Sequence, residues 1–95
     1  MARISIERMQ ATQYRVTVVE RGATTSHVVT VTAQDVARYA PEGTSPEQLL
    51  DASFRFLLER EPASSILGAF ALPVIERYFP EYPREIRTKL VPPTK

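Results

Sequence analysis

Apolar residues in the first third of the chain recur at every second position. Between Ala2 and Met9, Ile4 and Ile6 fall on one side while Arg3, Ser5 and Glu7 fall on the other, the pattern of a half-buried strand. The polar stretch Gln10 to Gln13 interrupts it. β-Branched residues then dominate from Tyr14 to Val19 and again from His27 to Thr32, with Glu20-Arg21-Gly22-Ala23-Thr24 between them. Gly22 adopts positive φ without penalty, so Gly22 and Ala23 are the expected loop of a type II′ hairpin. In that register Val16 faces Val29, Tyr14 faces Val31 and Val18 faces His27, all on one face. Arg15, Thr17, Ser26, Thr30 and Thr32 line the other. The pattern predicts a three-stranded antiparallel meander covered on one side.

The periodicity then changes from two to that of a helix. Thr32 is placed to cap a short helix whose first turn holds Asp35 and which Pro41 and Gly43 cut off. Ser45-Pro46-Glu47-Gln48 joins a capping Ser, a first-position Pro and a Gln three residues on, and so predicts a helix from Pro46 to about Arg60. Its apolar positions, Leu49, Leu50, Ala52, Phe54, Phe56, Leu57 and Leu58 among them, span more of the circumference than the ~100° stripe of a surface helix. Asp51, Arg55 and Glu59 form the remaining polar strip, spaced as an ion-pair ladder. Beyond Pro62, Ser64 or Ser65 is the expected cap of a short helix through Ile66, Leu67 and Phe70. Pro73 opens another, carrying Val74, Ile75 and Tyr78, and Glu81 to Arg87 suggest one further turn. The expected architecture is α+β: a three-stranded antiparallel meander, a short helix, one long apolar helix and short C-terminal helices packed on one face. It forms a single domain over residues 1–90 with a frayed tail at 91–95.

Composition narrows the chemistry. With 95 residues, 43% of them hydrophobic and 24% charged, the chain is of ordinary globular type and holds one core. A formal net charge of +1 supplies no global field for nucleic acid or an anionic membrane. Cys is absent and His occurs once, so disulfides, thiolate sites and thiol nucleophiles are excluded, and no metal or cofactor site is expected. No apolar run approaches a membrane span or a signal-peptide core, and the expected location is cytoplasmic.

No catalytic residue is assigned. His27 is the natural general base, but Ser26 beside it points to the opposite face of the strand; a His on the fringe of the core face is the favoured reading, with Asp35 an orienting partner only if the fold returns it there. The glycines are scattered singly and form no phosphate loop. Arg3, Arg15 and Arg21 share the wet side of the sheet and are the candidate nucleic-acid contacts; Arg84, Arg87 and Lys89 form a second basic group offset by Glu81 and Glu85. Tyr78, Phe79 and Tyr82, spaced by Pro80 and Pro83, either close the core or form a partner-binding patch.

The run Ser53-Phe54-Arg55-Phe56-Leu57-Leu58-Glu59-Arg60-Glu61-Pro62, with Ser65-Ile66-Leu67 and Val74-Ile75-Glu76-Arg77-Tyr78-Phe79-Pro80-Glu81-Tyr82, resembles a family of small uncharacterised bacterial and archaeal proteins. These share an SFxFLLEREP-like run followed by SIL and a VIxxYFPE-like run. The resemblance spans the second half of the chain and implies no catalytic residues. Ala71 stands where a polar helix cap such as Asp is expected.

The excess apolar surface of the Pro46–Arg60 helix therefore points to a non-enzymatic interaction module, a homodimer or the binder of an unidentified protein. Leu49, Phe56, Leu58, Tyr78, Phe79 and Tyr82 are the expected interface. The alternative is a small nucleic-acid-binding or regulatory protein acting through Arg3, Arg15 and Arg21.

Overall fold

The computed structural model describes residues 2–90; the expected tail at 91–95 lies outside them. The chain is α+β, with four helices and a mixed sheet of four strands rather than the three expected. Strands β1 (Arg3–Arg8), β2 (Gln13–Glu20) and β3 (Ala23–Thr30) pair antiparallel in sequence order. The fourth, β4 (Ala69–Ala71), lies parallel to β3 at the sheet edge.

The hairpin register differs from the expected one. Glu20 pairs with Ala23, so the loop is Arg21-Gly22, both at positive φ (52° and 81°), the primed geometry that suits the twist of two adjoining strands. Tyr14 accordingly faces Val29, Val16 faces His27 and Val18 faces Thr25. Moving a two-residue loop by one position changes cross-strand partners by two, which preserves the face of every side chain. Tyr14, Val16, Val18, His27, Val29 and Val31 are all buried, and Arg15, Val19, Thr24 and Ser26 are exposed.

Helix α1 (Ala33–Tyr39) opens with a capping box between Thr32 and Asp35. Helix α2 (Pro46–Leu58) opens with another between Ser45 and Gln48, satisfying two otherwise orphaned amides at each start. α2 ends two residues before Arg60. The polar ladder also changes: Arg55 bonds Asp51 at 3.0 Å, but Glu59 turns to Lys89 at 2.7 Å.

The largest departures follow Pro62. The helix expected through Ile66 and Phe70 is replaced by a 3-10 turn (Ala63–Ser65) and then β4. A three-residue run in which one Phe is flanked by two Ala is too short and too weak in strand preference to form alone; what fixes β4 is the open flank of β3, whose Val28 amide donates to the Gly68 carbonyl and whose Thr30 carbonyl accepts from the Leu72 amide. Helix α3 (Val74–Tyr78) is capped by no side chain; Pro73 occupies its N-cap and Ala71 ends β4. The single expected turn after Glu81 is a nine-residue helix, α4 (Tyr82–Leu90).

These changes account for the breadth of α2's apolar surface. On one side Phe54 meets His27 and Phe70 (ring centroids 5.3 and 6.2 Å). On the other, Phe56 packs edge-on to Tyr82 at 5.3 Å and to Phe79 at 5.9 Å. Ser53 sits between these faces, and its hydroxyl is 2.7 Å from the Tyr82 hydroxyl, both residues fully buried. α2 is a central helix wrapped by sheet, α1 and α4. No helix among the described residues is long and apolar enough to cross a membrane.

Candidate functional site

Most of the residues expected at an interface are inside the molecule. Leu49, Phe56 and Tyr82 have no exposed surface, and Leu58 and Phe79 are half-buried against the core. Tyr78 alone of the six points outward, 66% exposed. The aromatic segment divides because α4 begins at Tyr82: Tyr82 and Ile86, one turn apart, are buried against the core, while Tyr78, at the last turn of α3, points outward.

A different surface is left open. Between the segment from Ser65 to Phe70 and helix α3 lies a cleft of about 240 Å³, walled by Leu57, Ile66, Leu67, Phe70, Ile75 and Tyr78. Leu67, 45% exposed, and Tyr78 stand at its rim. Glu61 is the one carboxylate in the lining. The cleft runs beside β4, whose far edge pairs with no strand among the described residues. A helix through Ile66 and Phe70 would not leave Leu67 exposed and Phe70 half-buried beside an open cleft; the sequence signal against that helix is Gly68 inside it, a helix breaker whose Cβ position faces open space in the fold.

His27 is set deeper than the fringe position expected of it, 2% exposed in the middle of β3. Its Nδ1 lies 2.8 Å from the Leu67 carbonyl and its Nε2 2.8 Å from Thr25 Oγ1. A carbonyl only accepts, so Nδ1 carries the proton and, in the neutral ring, Nε2 accepts from the Thr25 hydroxyl. Hydroxyl, imidazole and orienting acceptor are thus in a row, as in a nucleophile–base pair, yet the orienting group is a carbonyl and the ring is enclosed against Phe54. The arrangement ties β3 to the cleft wall at Leu67. Asp35 is not a partner; it is spent on the capping box with Thr32.

Of the three arginines expected to form a nucleic-acid contact, all are exposed, but Arg15 stands apart from the other two. Arg15 is 3.8 Å from Glu7. Arg3 is four residues away from Glu7 along β1, about 13 Å at the rise of a strand, and pairs with Val19, two residues before Arg21 in the hairpin loop. Arg60 is the most engaged cation. Its guanidinium lies 3.7 Å from the centre of the Phe56 ring and bonds Glu81 at 3.0 Å, Glu85 at 3.1 Å and the Phe56 carbonyl at 3.1 Å, joining α2 to α4.

Two buried phenols are shifted. Burial, with the Glu76 carboxylate accepting from its hydroxyl at 2.8 Å, pushes Tyr39 up to about 12. Burial raises Tyr82 further, only partly offset by the Ser53 hydroxyl. Both hold their protons at neutral pH; Tyr39 donates to Glu76, and Tyr82 shares a hydrogen bond with Ser53. Among the described residues no group of three or more His, Asp or Glu side chains is placed to hold a metal ion. No family profile, curated protein or solved structure matches the chain.

Proposed function

We propose that the chain is a non-enzymatic interaction module that self-associates through the cleft beside β4, acting in the cytoplasm. The observation that carries this reading is the pairing of an apolar cleft with two exposed apolar side chains, Leu67 and Tyr78, on its rim. Apolar surface that the chain leaves uncovered after wrapping α2 is favourable to bury, and the aromatic rim is of the type that anchors protein contacts. The homodimer therefore rests on this cleft and no longer on the outer surface of α2. Light scattering from micromolar to millimolar concentration tests it: wild-type protein is expected to double in mass, and Tyr78→Glu to remain monomeric with an unchanged far-ultraviolet spectrum. A wild-type monomer throughout that range overturns it.

A further inference from the structure

We propose that two copies join edge to edge, β4 against β4 antiparallel about a two-fold axis through Phe70, making one continuous sheet across the dimer. This rests on the reading of the cleft as the self-association surface.

The backbone supplies the argument. The Gly68 carbonyl and Leu72 amide are turned toward β3, where they bond Val28 and Thr30. Alternation along a strand then turns Phe70 toward β3 as well and leaves the N–H and C=O of Ala69 and Ala71 directed away from the sheet. Both alanines are exposed, and Phe70 is half-buried on the helix side, where it meets Phe54.

This edge is complementary to itself. About a two-fold axis at Phe70, Ala69 opposes Ala71 of the second copy as a hydrogen-bonded pair that exchanges both N–H···O=C bonds, and the symmetry repeats the pair on the other side of the axis. Phe70 meets Phe70 of the second copy in the closer, non-hydrogen-bonded position, with both rings on the helix side above the cleft. Leu67 and Tyr78 are then brought to the seam.

Two features favour a second copy over an unstructured peptide. Exposed strand edges are commonly guarded by charge or proline, and Ala69-Phe70-Ala71 carries neither. The edge is also only three residues long, so a free peptide would pay backbone entropy for every ordered residue against few bonds, whereas a second β4 is already extended.

The chain's lack of Cys allows the register to be read directly. Ala69→Cys and Ala71→Cys are prepared separately, and each is oxidised alone and in mixture. The expected result is a cross-linked dimer from the mixture, because the opposed positions fall within the separation a disulfide spans, and little from either variant alone, because like positions lie on a diagonal beyond the ~7 Å limit. In parallel, Ala71→Pro removes the outward amide without touching the bonds to β3 and is expected to weaken dimerisation at least ~10-fold, as two symmetry-related interfacial hydrogen bonds, one from each copy, are lost with their steric consequence. If the wild type dimerises, Tyr78→Glu is monomeric and the mixture does not cross-link, the strand pairing is overturned while the cleft reading stands. A wild-type monomer overturns both. If Ala71→Pro fails to fold by circular dichroism, the cysteine pair decides alone.

Discussion

Ser53 and Tyr82 form a buried hydroxyl pair at the contact of α2 and α4, and its deletion separates the cost of losing a bond from the cost of stranding a partner. Both residues are without exposed surface and their oxygens are 2.7 Å apart. Ser53→Ala leaves the Tyr82 hydroxyl enclosed without its hydrogen-bond partner, a penalty of about 1–3 kcal/mol. The better helix preference of Ala returns about 0.5 kcal/mol, so the net loss is about 0.5–2.5 kcal/mol. Tyr82→Phe is milder, about 0.5–1.5 kcal/mol, because the stranded serine hydroxyl turns back to the carbonyl one turn earlier, at Leu49. The double variant removes both polar groups and should be more stable than Ser53→Ala alone. Urea unfolding followed by circular dichroism measures all four proteins. For a domain of this size, a net loss of ~1.5 kcal/mol lowers the melting temperature by roughly 6–12 °C. The reasoning is refuted if Ser53→Ala is as stable as wild type, or if the double variant is less stable than Ser53→Ala, since either result means that the Tyr82 hydroxyl finds another partner.

The raised phenols predict an alkaline limit. Tyr39 at about 12, and Tyr82 higher still, hold their protons in the fold at a pH where the unfolded chain loses them near 10. Their stabilisation is therefore complete below about pH 10 and is lost as pH rises toward the folded values. Urea midpoints should fall above pH 10, and Tyr39→Phe should flatten that fall; an unaltered slope in the variant would sink the assignment. Arg60→Ala should cost about 1–2 kcal/mol, since it removes the guanidinium over Phe56 and two carboxylate bonds at a partly exposed site. Arg60→Lys should recover less than half, because an ammonium cannot bond Glu81 and Glu85 while stacking on the ring; full recovery by Lys in thermal melts contradicts this. Arg21→Asn should stabilise the hairpin by about 0.5–1 kcal/mol, as Asn tolerates the positive φ that Arg adopts at cost, read as a rise in melting temperature.

Local rules made much of the first sixty residues legible. Period-two alternation assigned faces in β1 to β3 correctly even where the loop was misplaced, since the loop error preserved parity. Two capping boxes marked the starts of α1 and α2, because caps satisfy amides within three residues and need nothing distant. The sequence also carried a signal for α4 that composition obscured. Tyr82, Ile86 and Leu90 recur every fourth position behind Pro83, but arginine, lysine and glutamate fill the rest.

Three features were decided only by tertiary structure. β4 exists because the flank of β3 offers hydrogen-bonding partners to a segment too short to form a strand by itself. α2's apolar surface marks a central helix because α4 folds over it, so the same pattern that suggests an interface in one context is core in another. The cleft at Leu67, Phe70 and Tyr78 arises where the turn after Pro62 becomes an edge strand instead of a helix. Periodicity reports which side of an element seeks cover; only the fold determines what provides it, because the covering groups lie many residues away along the chain.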